Sequence, residues 1–175
     1  MKNLTLKKIS EICNGKLYAD KSIENIEISS ITTDSRKVEK DCMFVAIKGE
    51  RVDGNKFING AYEDGAIVCL SEDEPDKNSI NISEKNGYIV VKSCFQALKD
   101  IAEYYREVMN TKIVGITGSV GKTSTKEMLA AVMSEKFNTL KTQGNFNNEV
   151  GVPLTLFRLR EEHELAIVEM GISDF

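Results

Sequence analysis

The residues best suited to chemistry run from Gly118 to Ser124, in the order Gly118, Ser119, Val120, Gly121, Lys122, Thr123, Ser124. Gly118 and Gly121 let the backbone curl so that successive amide N–H groups point inward, and a helix starting here adds its positive N-terminal end. Lys122 can reach the β- and γ-phosphates of a nucleotide as a point charge, while the hydroxyl of Thr123 suits Mg²⁺. The common pattern G-x-x-x-x-G-K-[ST] needs glycine at 116, where this chain has Ile116; what stands here is G-x-x-G-x-x-G-K-T from Gly115 to Thr123. A glycine-rich turn that binds nothing could share two of these glycines. The G-K-T-S ending, an apolar strand before it and a helix after it occur together, so phosphate binding is the expectation.

Two further groups belong with this loop. The run Leu165 to Val168 reads as a short buried strand ending in Glu169. Ligands gather at the carboxyl ends of strands in parallel α/β sheets, so Glu169 is expected to share a metal with Thr123. Its alternative is a strand-end carboxylate in solvent. Between them, TQGNFNNEVGVP holds Asn145, Asn147 and Asn148. Asparagines this close are common in turns, where they tolerate left-handed backbone and cap helices. They also suit a phosphate or metal-water shell, and spacing alone does not decide.

The elements that position these groups alternate between helix and strand. Leu6, Ile9, Ile12 and Cys13 predict a helix between Thr5 as N-cap and Gly15 as left-handed terminator. Strands are expected at 16–19, 26–33 and 42–48, a helix around Phe57 to Tyr62 ended by Gly65, a fully buried strand at 66–70 and a further strand at 88–92. The charged stretch 71–86 suits a connection. Ser93 and Gln96 match a capping box, before an apolar stripe from Phe95 to Met109. Strand 113–116 leads into the loop, and the helix after it carries Met128, Leu129, Val132, Met133 and Phe137 on one side. With a domain boundary at about residue 110, the fold class is α/β: a small mixed-sheet N-terminal substrate domain, then the start of a parallel-sheet ATPase domain built on the phosphate loop.

Composition narrows the partners. In 175 residues, 23 basic and 27 acidic side chains leave a net charge of −4, which disfavours binding nucleic acid through a basic face. Four cysteines at 13, 42, 69 and 94 form no C-x-x-C pair, and the lone histidine, His163, sits in a charged run and is not expected to be catalytic. No apolar run approaches the ~18 residues of a membrane span. A cytosolic chain with reduced, buried thiols is expected.

Taken together, TGSVGKTSTKEM, TQGNFNNEVGVPLTL and VEMG resemble the Mur ligase family of ATP-dependent peptidoglycan ligases. The asparagine string is most similar to the branch that joins D-alanyl-D-alanine to UDP-N-acetylmuramoyl-tripeptide. The segments ITTDSR (31–36) and MFVAIKGERVDGNKF (43–57) look like that branch's uridine-nucleotide domain. The resemblance implies that residues 118–124 bind ATP phosphates, that Lys122 and Glu169 are catalytic, and that Thr123 and Glu169 hold Mg²⁺. It further implies that Asn145, Asn147 and Asn148 face phosphate or substrate, and that Thr33, Asp34, Ser35 and Arg36 contact the UDP-sugar; Asp34-Ser35 is equally an ordinary turn signal. Arg51 and Asp53 have weaker claims. Family members are much longer three-domain chains, so these residues are read as an N-terminal portion of an enzyme that is monomeric at full length. The alternatives are the preceding ligase of the pathway, a non-catalytic nucleotide- or UDP-sugar-binding module, and a generic phosphate-loop kinase.

Overall fold

The computed structural model describes residues 1–49, 52–76 and 80–171, so Arg51 lies outside the described residues. The chain clusters into two compact units that meet in sequence between residues 101 and 102, within a long helix. The expected boundary at about 110 sits instead where that helix ends.

In the first unit, helix α1 (Leu6–Ile12) starts where the Thr5 hydroxyl accepts a hydrogen bond from the Lys8 amide at 3.1 Å, and it buries Leu6 and Ile9. Its left-handed terminator is Asn14, at φ 52°, rather than Gly15. Gly15 serves a different need: a Cβ there would stand 2.7 Å from the Ile89 side chain, so glycine lets the chain turn tightly against the sheet. That sheet contains β1 (Lys16–Tyr18), β2 (Ile31–Thr32), β3 (Met43–Val45), β4 (Val68–Ser71) and β5 (Gly87–Val90) in the order β1-β5-β4-β3-β2. Only the β1–β5 pairing is antiparallel, which makes the sheet mixed. β3 and β4 are buried at every position, as expected of interior parallel strands covered on both faces.

β2 is far shorter than the strand expected over 26–33. Ile28 donates its amide to Leu4 and Ser29 to Asp41, so the first part of that run spends its backbone groups on loops, not on the sheet. A 3-10 turn (Gly54–Phe57) leads into α2 (Ile58–Glu63), which buries Ile58 and Ala61 and stops before Gly65 at φ +111°. Helix α3 (Cys94–Met109) forms only half of the expected capping box. The Ser93 hydroxyl accepts from the Gln96 amide at 3.3 Å, but the Gln96 side chain turns forward to Asp100 at 2.7 Å.

The second unit holds β6 (Lys112–Ile116), α4 (Lys122–Ser134), β7 (Thr139–Lys141), α5 (Gly151–Leu156) and β8 (Leu165–Glu169). Its sheet is wholly parallel, in the order β6-β8-β7, so β8 is the middle strand and is buried throughout. The face of α4 corrects the sequence reading. Leu129, Ala130, Met133 and Phe137 pack on the sheet with Ile116, Leu165 and Ile167, whereas Met128 and Val132 are 71% and 69% exposed. The helix is turned so that Lys126, at 1%, takes the buried position in their place.

Candidate functional site

The β6-to-α4 connection has the backbone that a phosphate cradle requires. Gly118 (φ +143°) and Gly121 (φ +79°) take conformations that side-chain-bearing residues resist, and Gly121 is the N-cap of α4. No side chain caps that end, so its amide N–H groups remain available to an anion. Ser119 and Ser124 are exposed at the loop and the first turn, and Val120 is 92% exposed at its tip. Lys122 arches back along the loop and donates from Nζ to the Gly118 carbonyl at 2.7 Å. The ammonium is thereby held against the stretch of backbone that Gly118 and Gly121 bend.

One turn of helix away from the loop tip, Thr123 meets the end of the central strand. Its hydroxyl donates to Glu169 Oε1 at 3.2 Å, and the Asn147 side-chain amide donates to the same oxygen at 2.9 Å. Glu169 Oε2 lies 3.3 Å from Lys126 Nζ, a pair whose side chains are only 2% and 1% exposed. This oxygen is buried and accepts no well-formed hydrogen bond among the described residues. The strand end is fixed from behind as well, since the Glu169 amide donates to the buried Thr142 hydroxyl at 2.9 Å. Burial pushes the Glu169 carboxyl upward, but Asn147, Lys126 and Thr123 outweigh it and hold the group below the ordinary glutamate range. The carboxylate is therefore ionised at neutral pH.

The three asparagines divide their work. Asn147 reaches Glu169, and its carbonyl accepts from the Gly171 amide beyond the strand. Asn148 Oδ1 accepts from the amides of Gly151 at 2.7 Å and Val150 at 3.3 Å, so this side chain caps α5. Asn145 is exposed, and its carbonyl accepts from the Asn147 amide. Gly151 makes the fold of this loop possible. A Cβ there would stand 2.5 Å from two backbone atoms of Phe146. Gly151→Ala should therefore displace the asparagine loop and destabilise the chain by about 1–3 kcal/mol in urea unfolding, the usual cost of overpacking against backbone.

In the first unit, Asp34 and Arg36 face each other. Arg36 Nε and Nη2 donate to the two carboxylate oxygens at 2.9 and 2.8 Å, and Asp34 also caps the 3-10 turn that begins at Ser35. The guanidinium holds the Asp34 carboxyl down at about 2. Arg36 is still 86% exposed along its side chain, and Thr33 is half-buried. Asp53 accepts from the Asn55 amide and caps the second 3-10 turn. His163 accepts at Nδ1 from the Arg160 amide, in a turn.

For a magnesium ion, Thr123 and Glu169 provide an alcohol and a carboxylate, the hard oxygen donors that this cation prefers. No cluster of three or more His, Cys, Asp or Glu occurs among the described residues. Mg²⁺ commonly takes one or two protein oxygens and completes its shell with phosphate and water. Sequence reading missed Lys126 and Thr142. Lys126 was open to inference, because it lies one helical turn beyond Lys122 and Thr123 and so shares their face.

A parallel sheet, a glycine loop carrying a lysine, and a carboxylate at the end of the neighbouring strand make a site suited to an anion, and comparison with known proteins narrows the class of protein. Residues 116–175 match the Mur ligase middle domain, and residues 27–106 match the Mur ligase family, catalytic domain. The chain belongs to the Mur ligase family. It is 39% identical over 169 residues to the UDP-N-acetylmuramoyl-tripeptide–D-alanyl-D-alanine ligase of Bacillus subtilis, covering 97% of this chain and 36% of that protein. The crystal structure of MurF from Acinetobacter baumannii superposes with a TM-score of 0.83 at 37% identity, over 96% of this chain and 36% of that one. MurF of Thermotoga maritima, solved in complex with ADP, gives 0.72 at 32% identity, over 83% of this chain and 32% of that one. The chain thus spans just over a third of the length of the first two relatives.

Proposed function

We propose that this chain supplies the UDP-sugar-binding and phosphate-binding parts of an ATP-dependent ligase that joins D-alanyl-D-alanine to UDP-N-acetylmuramoyl-tripeptide. Residues 1–110 hold the sugar nucleotide, with Thr33, Asp34, Ser35 and Arg36 at its polar groups. Residues 111–175 hold ATP. The observation that carries this reading is the meeting of Thr123 with Glu169 beside the Lys122 loop, 3.2 Å apart. The similarity to the D-alanyl-D-alanine ligases selects the substrates.

The chemistry explains the charges. A carboxylate must attack the γ-phosphorus of ATP, displacing ADP to form an acyl phosphate; the amine of the dipeptide then attacks the acyl carbon, and loss of inorganic phosphate and a proton leaves the amide. Two anions must be brought together, so the work is positional and electrostatic. The amides of Gly118 to Ser124 cradle the phosphates, and Lys122 stabilises charge on the transferred group. Thr123 and Glu169 would hold Mg²⁺, which would supply charge neutralisation at the phosphates. Asn147 and Asn148 shape the wall beside the phosphates, and Asn145 offers its amide to ligand, because the other two side chains are already engaged. No helix among the described residues is long and apolar enough to cross a membrane, and the cytoplasm, where UDP-linked precursors and ATP coexist, is the proposed site of a monomeric enzyme. The test is phosphate release from ATP by the full-length protein. It should require both the UDP-tripeptide and D-alanyl-D-alanine; release with the UDP-dipeptide and a diamino acid instead would assign the preceding ligase.

A further inference from the structure

Lys126 and Glu169 are the buried charged side chains among the described residues, and they are paired. Stability alone does not explain such a pair. Removing two charges from water costs about as much as their attraction returns, and well-packed apolar replacements are often neutral or better. The arrangement around the ammonium suggests what it contributes. Its partners come from different parts of the unit: Glu169 Oε2 at the end of β8 (3.3 Å), the Gly144 carbonyl in the asparagine loop (3.3 Å), and Glu127 Oε1 on its own helix (3.4 Å). Glu127 is itself paired with Lys141 on β7. The Gly144 carbonyl accepts a hydrogen bond from the Lys126 ammonium, and the two carboxylate oxygens are its ion-pair partners.

This inference rests on the ATP-site reading given above and deepens it. We propose that Lys126 is a positioning residue. It occupies Oε2 of Glu169 and ties down the turn at Gly144, so that Oε1 is the oxygen presented beside the Thr123 hydroxyl to a nucleotide-bound metal. The division of the carboxylate is visible: Lys126 stands at one oxygen, while Thr123 and Asn147 share the other. Without the ammonium, Glu169 would be free to rotate and the asparagine loop to lift away. These polar partners of Nζ, on Glu169, Gly144 and Glu127, lie outside the phosphate loop, whose Lys122 bonds to its own Gly118 carbonyl, so the loop would keep its shape.

The experiment is calorimetric titration of ADP into the full chain, once with Mg²⁺ and once with a chelator, for the wild type, Lys126→Met and Lys126→Gln. Circular dichroism melts establish that each variant is folded. Glutamine keeps one donor for the Gly144 carbonyl and serves if the methionine variant does not fold. In the wild type, magnesium should strengthen ADP binding. In a folded variant, chelated ADP should bind as in the wild type, while the gain from magnesium falls by about 10–100-fold, the usual effect of losing a group that orients a metal ligand. A full magnesium gain in either folded variant would overturn the proposal. So would a parallel loss of both affinities, or failure of both variants to fold, since either makes Lys126 a residue that holds the fold. A wild type without any magnesium gain would instead remove the ATP-site reading, and this role with it.

Discussion

In the full-length protein, Lys122→Met should lower the rate of the proposed ATP-dependent amide formation by about 10²–10³ while leaving the fold intact, since removing a single preorganised charge-stabilising donor costs that much elsewhere. Methionine keeps the length of the side chain and the helix propensity of the first turn of α4. What it removes is the charge now held 2.7 Å from the Gly118 carbonyl. Glycines 118 and 121 would still bend the loop, and the uncapped amides would still bind phosphate, so nucleotide affinity should fall less than turnover. Urea unfolding separates the effects: a half-exposed lysine that touches only the loop contributes little to stability, so the unfolding midpoint should stay close to that of the wild type. An equal loss of stability and rate would mean that Lys122 is a structural strut.

Glu169→Ala should produce the largest loss of stability, about 3–5 kcal/mol in denaturant unfolding, because it leaves the Lys126 ammonium buried without its carboxylate. It also removes acceptors for Thr123 and Asn147. Glu169→Gln keeps the volume and allows the contribution of charge to be read from pH. The folded Glu169 carboxyl is held below its ordinary value of 4.5, so it binds fewer protons folded than unfolded as the medium becomes acidic. Its stabilisation is complete above about pH 4.5 and drains away as the pH falls through the lower folded value. The wild type should therefore lose stability more steeply than Glu169→Gln below pH 4.5, and the two curves should approach each other at the acid end. Parallel curves would show that Glu169 is not the ionised member of this pair.

The phosphate loop was legible because its chemistry is contiguous. Gly118 to Ser124 carry the backbone freedom, the cation and the hydroxyl within seven residues, and an apolar strand on one side and a helix on the other suffice to aim them. Glu169 was legible in part: the apolar run Leu165 to Val168 marks a strand that ends there, but the run left open whether its carboxylate meets solvent or Thr123 and Asn147, as it does. Features set by tertiary packing were not. Nothing local places β8 between β6 and β7, because strand order is set by pairing between segments far apart in sequence. Met128 and Val132 read as core by their period, yet the helix buries the stripe that runs through Lys126 and Ala130. A lysine is rarely assigned to an interior, and only the structure shows the carboxylate that takes it there. The asparagines show the same division. Asn148 caps α5 while Asn147 reaches Glu169, two fates for neighbouring identical side chains that spacing could not separate. In the first unit, Asp34 and Arg36 were flagged by type, but the fork between them, 2.8–2.9 Å long, is a matter of geometry that their order left open.

Amide NMR of the isotopically labelled full chain, titrated with magnesium ADP, tests the central claim most directly. The account predicts saturable shifts in the backbone N–H resonances of Gly118, Ser119, Gly121, Lys122, Thr123 and Ser124, with smaller changes at Asn147 and Glu169. Unmoved resonances across 118–124 at saturating nucleotide, or saturable shifts confined to other segments, would contradict it.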